Sequence, residues 1–437
     1  MLSFIQLILL LFVIISGLAV SLFSGLPLVL GFLPGLLFLL YLCLKLGYTF
    51  KFITSAMYYG FLQIKGILWI LAFVSLIIPV WIASGTVPLM ISIGLSLMNH
   101  TYFITCAFII TAGIALLLGT STGTLSMIGV PLLGVGTMIG IPAPLIAGAL
   151  ISGAFVGDRT SPLSSANQLV ASCTGLTSPQ QTKTLLPTTI LAILISLLFF
   201  VTLDWETPKT VAPRLTTMVL SQENLWVLLP PFLLIISILF RSKIQTAFLL
   251  GIASGLILGT VYQQISLFQW THYLLFGFEG TTLTSKGLLN MLPLMLFISL
   301  TAMFNGITEQ TNLIQFYIEK VLGPSKSLTS TTIRLCLFGL ALNIFCCNQT
   351  LPIILSSRSF LPIWEKWFSI SDLSRITSDS SLIYAGLIPW NMLGMIASNI
   401  LGIKVTDYLV YAVFLWFLPF ATVGWSFYKE AVKCAQQ

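Results

Sequence analysis

A chain of 437 residues that is 57% hydrophobic and only 7% charged is not an ordinary soluble domain, in which about a quarter of residues are charged. Its net charge of +7 is spread without a basic cluster, which excludes a nucleic-acid binder and fits lysines and arginines left on cytoplasmic loops. Apolar runs of about 20 residues, long enough to cross about 30 Å of hydrocarbon, and the lack of period-two alternation exclude an outer-membrane barrel; an all-α polytopic membrane protein remains.

In chain order, the first half is expected to cross at residues 4–20, 25–44, 67–84, 143–173 and 185–203. The start lacks a basic region and a small-residue cleavage site, so it reads as a first span and not a removed leader. A long apolar stretch, 86–142, is interrupted by GTSTGT (Gly119 to Thr124), and the span 143–173 by GDRTSPLSSANQ (Gly157 to Gln168). Residues 204–224, with Pro208, Pro213 and charges of both signs, read as a polar linker. The second half is expected to cross at 226–240, 245–262, 288–305, 379–400 and 407–428, with an interrupted stretch at 331–360. His100, His272 and Glu309 are expected in loops, and Arg334 and Arg358 at the flanks of the second interruption. The seven cysteines (Cys43, Cys106, Cys173, Cys336, Cys346, Cys347, Cys434) show no metal-ligand spacing and read as small packing residues.

The halves repeat. Lys65-Gly66 and Lys286-Gly287 each open an apolar run and stand 221 positions apart, and the same offset carries Asp158 onto Asp379. The expected organisation is a first transmembrane repeat (1–203), a linker (204–224) and a second repeat (225–437). Lys45, Lys51 and Lys65 mark the loop after the second span as cytoplasmic, whereas in the second half the basic loop is the one before it, with Arg241 and Lys243. A swap of that kind fits two inverted repeats of about five spans, each with a re-entrant or broken-helix segment, and puts both termini in the cytoplasm. Parallel repeats are the alternative.

Polar interruptions at membrane depth carry the chemistry. Non-helical backbone survives there only when buried or lining a wet cavity, and the carbonyls it frees, with hydroxyl and amide oxygens, suit Na⁺. The candidates are Thr120, Ser121 and Thr122 in the first interruption, Asp158, Ser161, Ser164 and Asn167 in the next, Asn348, Gln349 and Thr350 in the third, and Asp379, Ser380 and Asn391 in the last. An aspartate costs about 2.5–3.5 kcal/mol at the bilayer centre. Either H⁺ or Na⁺ can neutralise it, and hardly both at once, which is the competition an exchanger needs. Asp158 and Asp379 are therefore the expected Na⁺ ligands. The plain alternative is that Asp158 pairs with neighbouring Arg159 or caps a helix. No nucleophile–base set, phosphate loop or dinucleotide fingerprint is present, so neither an enzyme nor an ATP-driven pump is expected and no cofactor is called for.

On WIASGTVP (81–88), GTSTGTLSMIGV (119–130), GDRTSPLSSANQLVA (157–171), NQTLPIILSSRSF (348–360) and LIPWNMLG (387–394), the chain resembles the NhaC-type sodium/proton antiporter family of the wider ion-transporter superfamily. The resemblance implies Na⁺ export against H⁺ entry across the plasma (inner) membrane. It also admits carriers that couple ions to small organic acids or amino acids. The chain departs from the family pattern at Asn348-Gln349, where an Asp-Gln pair is usual, and such a tip suits a polar organic solute about as well as a cation. Expected partners are thus Na⁺, H⁺ and the lipid bilayer, with an organic solute as the alternative and a homodimer left open.

Overall fold

The computed structural model describes residues 3–98, 100–208, 225–240, 242–280, 283–311 and 327–435. Helices dominate, and eight of those described are long and apolar enough to cross a membrane. The first half holds α1 (Phe4–Ser24), α2 (Leu28–Lys45), α3 (Phe50–Gln63), α4 (Lys65–Ala83), α5 (Thr86–Leu97), α6 (Phe103–Leu118), α7 (Ser121–Thr124), α8 (Val130–Met138), α9 (Ala143–Thr160), α10 (Ser165–Thr174) and α11 (Ser178–Glu206). The second holds α12 (Leu229–Leu239), α13 (Ile244–Tyr262), α14 (Leu267–Phe276), α15 (Leu288–Gln310), α16 (Leu328–Cys346), α17 (Thr350–Trp367), α18 (Ile370–Asp379), α19 (Met392–Leu401), α20 (Val405–Tyr408) and α21 (Val413–Ala435).

Two packed groups form, and each draws on both halves. α1 to α4 pack with α12 to α15: α2 and α3 lie on α15, and α13 on α4. The inner group sets α9 along α6, α11 and α16 against α21, and α17 and α18 against α10. α3 and α15 come close enough to need glycine. A Cβ at Gly306 would sit 2.2 Å from the Ala56 carbonyl oxygen, and one at Gly60 would sit 2.1 Å from that of Ala302. In lipid, where burial drives helix association weakly, small residues that let backbones approach supply the packing.

Several expectations change. The stretch 45–65, expected as a loop, contains α3, N-capped by Thr49, whose hydroxyl accepts from the Phe52 N–H at 3.3 Å. His272 lies in α14, its ring packed against Phe276 with centroids 5.2 Å apart and planes tilted by 35°, and not in a loop. Glu309 sits in the last turn of α15 and accepts from Gln63 Nε2 at 3.3 Å. α11 continues to Glu206, so Asp204 is not linker; its carboxylate accepts from the N–H groups of Ile104 and Thr105 and caps α6. The span expected at 379–400 is no single helix: α18 ends at Asp379, a 3₁₀ turn covers Ile383–Gly386 and α19 starts at Met392. The polar interruption read there, at Asp379, Ser380 and Asn391, is this break, and Pro389 lies within it. Residues 209–224 of the expected linker and Arg241 lie outside the described residues.

Candidate functional site: two breaks and a shared polar seam

Proline makes the first break. Pro162 has no N–H to give and pushes Ser161 into extended backbone (φ −66°, ψ 132°), so α9 stops at Thr160. Ser164 then caps α10, accepting from the Asn167 N–H at 3.2 Å, while its own hydroxyl donates to the Asp158 carbonyl at 2.5 Å. Ser161 donates to the Leu116 carbonyl (2.7 Å), and Asn167 Nδ2 to the Ser161 carbonyl (3.1 Å). These three side chains close the break; they do not face the Asp158 carboxylate.

A second broken segment lies against the first. α6 ends at Gly119 (φ +68°), where a Cβ would sit 2.6 Å from the Leu163 backbone, so glycine alone allows that approach. Thr120 caps α7, which widens into a π-helical turn at Leu125–Gly129 before α8. Pro131 explains the widening: it offers no N–H to the carbonyl four residues back. The Thr122 carbonyl accepts from Ser126 Oγ at 2.7 Å. Of the three candidates here, Ser121 reaches Asp158. Its N–H donates to Oδ1 at 2.9 Å and its hydroxyl to Oδ2 at 2.6 Å. Asp158 is 7% exposed, and among the described residues no lysine, arginine or histidine reaches its carboxylate.

Arg159 turns the other way, so pairing with its neighbour is not how Asp158 is held. Its Nε donates to Asp379 Oδ1 at 2.7 Å, Nη2 donates to the same oxygen, and Nη1 and Nη2 also donate to Thr189 and Thr188. Both charged side chains are 0% exposed, and Asp379 Oδ2 has no hydrogen-bond partner. Asp158 and Asp379, matched by the repeat offset, therefore occupy different surroundings: one rests on hydroxyl and amide donors, the other on a guanidinium. Further along α18, Arg375 Nη2 donates to Asp372 Oδ1 (3.1 Å), which also accepts from Lys429 Nζ (2.8 Å).

The third interruption is a knot of amides. α16 ends at Cys346, and Cys347 takes φ +54°, the left-handed region. The carbonyls freed there are capped from afar: Asn305 Nδ2 donates to Cys346 (2.8 Å), the Met392 N–H to Cys347 (2.9 Å) and Trp390 Nε1 to Ile344 (3.0 Å). Asn391 Nδ2 reaches Asn343 Oδ1 and the Asn348 carbonyl, both at 3.3 Å. Asn348 Oδ1 caps α17 through the Leu351 N–H (3.2 Å), Gln349 Nε2 donates to the Leu382 carbonyl (3.0 Å), and Ser380 Oγ to the Ile376 carbonyl (2.6 Å). Thr350 is exposed.

Sequence reasoning missed the residue that joins these breaks. Gln181 on α11 is fully buried; its Nε2 donates to Asn167 Oδ1 and Ser378 Oγ, both at 3.2 Å, and its Oε1 accepts from Ser374. Thr188 and Thr189 continue the same face two turns on, at Arg159. Thr188 and Thr189, hydroxyls at the head of an apolar run and in helical register with Gln181, were the available signal. Asn305 and Asn343, single amides inside apolar runs, were signals of the same kind.

A family model described as the Na⁺/H⁺ antiporter family matches residues 183–429. The chain is 25% identical to the malate-2H⁺/Na⁺-lactate antiporter of Bacillus subtilis (strain 168), over 93% of this chain and 90% of that protein. It is 26% identical to the Na⁺/H⁺ antiporter NhaC of Alkalihalophilus pseudofirmus, over 82% and 80%, and 24% identical to the arginine/ornithine antiporter ArcD of Halobacterium salinarum, over 88% and 84%.

Proposed function

We propose a function on one premise, that this chain belongs to the Na⁺/H⁺ antiporter family: it is a carrier of the plasma membrane, not an enzyme, that exports Na⁺ in exchange for H⁺. The observation that carries the reading is the Asp158 carboxylate, buried on two Ser121 donors with no cationic side chain among the described residues to neutralise it. Asp379 and Asp372 have such partners already. A bare buried carboxylate lacks the water that would stabilise its charge, so a proton or a Na⁺ ion gains by binding it, and each displaces the other. Beyond Asp158 and the Ser121 hydroxyl, a Na⁺ shell draws on carbonyls and hydroxyls of the kind broken membrane helices expose.

Exchange also requires that the site open to the two sides in turn. Two inverted repeats provide that by rocking one group against the other. Reciprocal packing supports them: at the repeat offset α2 corresponds to α13 and α4 to α15, and α2 lies on α15 while α13 lies on α4. Likewise α10 packs on α17, and α19 on the α7–α8 segment. Both termini in the cytoplasm and residues 204–224 outside complete the proposal; Lys45, Lys51 and Lys65 in the first half and Arg241 and Lys243 in the second support it.

The test uses proteoliposomes carrying a pH gradient and no organic solute. Added Na⁺ alone should collapse the gradient, and Asp158→Asn should abolish the effect. Normal Na⁺ transport by Asp158→Asn with an unaltered pH profile refutes the assignment. The second reading, an ion-coupled carrier of a small organic acid or amino acid, is favoured by the amide knot at Asn343, Asn348 and Asn391 and by the names of two relatives. A gradient that collapses only when such a solute is supplied selects it.

A further inference from the structure

Two cavities lie away from Asp158. The larger, about 710 Å³, sits between α4, α8, residues 279–280 and 283–286, the start of α15 and the end of α19. The smaller, about 460 Å³, is lined by α3, α4 and Met295. Four wall positions match at the repeat offset of 221: Tyr58 with Glu279, Leu62 with Leu283, Lys65 with Lys286, and Trp69 with Asn290. The same wall thus occurs in both halves, but its chemistry differs. In the first half two of the four are aromatic; in the second they are a carboxylate and an amide.

The larger cavity is within the usual range for a small-molecule site, about 300–1,000 Å³. Its wall holds one carboxylate and one ammonium that do not pair with each other. Lys286 Nζ donates to Asn399 Oδ1 at 3.1 Å and keeps two further N–H donors. Asn290 spends its amide N–H on the Phe276 carbonyl (2.9 Å), so its oxygen remains an acceptor. α19 ends on this wall at Gly402 (φ +71°), adding the negative end of a ten-residue helix. Acceptors and one ammonium therefore share the wall, with Ile78, Leu133 and Met291 as an apolar side. We propose that this cavity is a binding site for a free α-amino acid, its carboxylate on Lys286 and its ammonium on Glu279, Asn290 and the end of α19.

The site is separate from the Asp158 carboxylate and goes beyond Na⁺/H⁺ exchange. It also has a mechanical link to the ion site. Leu401 lines the cavity, and its Cδ2 lies 2.9 Å from where a Cβ on Gly129 would be, in the π-helical turn that follows the Ser121 helix. An amino acid seated on the end of α19 therefore bears on the segment that holds Asp158.

Equilibrium binding to the purified full chain tests this with three probes: glutamine, ornithine and aspartate. At least one should bind. Its decarboxylated and deaminated analogues should bind at least about tenfold more weakly, since each lacks a charged hydrogen-bonding group. Lys286→Met and Glu279→Gln, both at exposed positions, should each lower affinity by about tenfold or more, and Asp158→Asn should change it by less than either. No binding of any probe, equal binding of the analogues, or unchanged affinity in both wall variants overturns the proposal. Binding lost in Asp158→Asn but kept in the wall variants overturns it too, and places the solute at the ion site. Exchange driven by Na⁺ alone is measured separately, so failure of this site leaves the transport assignment standing.

Discussion

Asp379→Asn is expected to destabilise the protein far more than Asp158→Asn, although Asp158→Asn does the greater harm to transport. Asp379 takes two hydrogen bonds from Arg159, both side chains are fully buried, and the hydroxyls of Thr188 and Thr189 cannot neutralise the guanidinium. Removing the carboxylate strands that charge, which costs about 3–5 kcal/mol. Asp158 differs because it has no cation to strand. An asparagine there still offers an oxygen to the Ser121 N–H and an amide to the Ser121 hydroxyl. Weakening two charge-assisted bonds to neutral ones loses about 1 kcal/mol each, and relief from burying a bare charge offsets much of that. The net change should stay within about 1 kcal/mol. Equilibrium unfolding in mixed micelles measures both variants. Arg159→Leu/Asp379→Leu should recover most of what Asp379→Asn loses, because an apolar pair can replace a buried ion pair. If Asp158→Asn proved the less stable, or the double variant lost the sum of its singles, the bridge would not be what joins α9 to α18.

Ser121→Ala removes one of the two donors that orient Asp158, so apparent Na⁺ affinity should change by about tenfold while the protein still folds; an unaltered affinity contradicts the geometry. Gln181→Leu leaves Asn167, Ser374 and Ser378 without their buried partner, at about 1–3 kcal/mol for each group left unsatisfied, and the melting temperature should fall accordingly. Gly306→Val should yield aggregated protein on fluorescence-detected size exclusion. Gly66→Ala, with nothing within 4 Å of the new Cβ, should elute normally. If both elute alike, the α3–α15 crossing is looser than its geometry requires.

Apolar run length was enough to read the class of fold, and local chemistry was enough to find the breaks at Gly119 and Pro162, which each impose a stop or a turn that no partner needs to enforce; the π-helical turn ahead of Pro131 was not read. Ser121 and Asp158 were both readable as polar residues at such breaks, and they meet. What stayed hidden is which acceptor each polar side chain satisfies. A broken helix frees several carbonyls, and Ser161, Ser164, Asn391 and Trp390 are used up on them, so fewer oxygens face the carboxylate than a count of hydroxyls implied. The partner of Arg159 lies 220 residues away on α18, beyond any helical spacing rule. Gln181 sat among residues that looked like a loop, because three of its neighbours are polar and only the fold buries it.

The crossing of α3 with α15 also has a consequence for how the chain is made. Gly60 and Gly306 stand 246 residues apart, so at about 5–20 residues per second the ribosome delivers the second glycine some 12–50 s after the first. Throughout that interval the small-residue face of α3 has no helix to receive it. Lipid chains fit such a notch poorly, whereas the backbone of another helix fits it closely. α3 is thus held open for a partner not yet synthesised, and the first half stays unfinished until the second is inserted. Severing the gene within 204–224 and expressing the halves together should still give assembled protein. The first half expressed alone should be the shorter-lived species in a pulse-chase experiment, because its docking face is never covered.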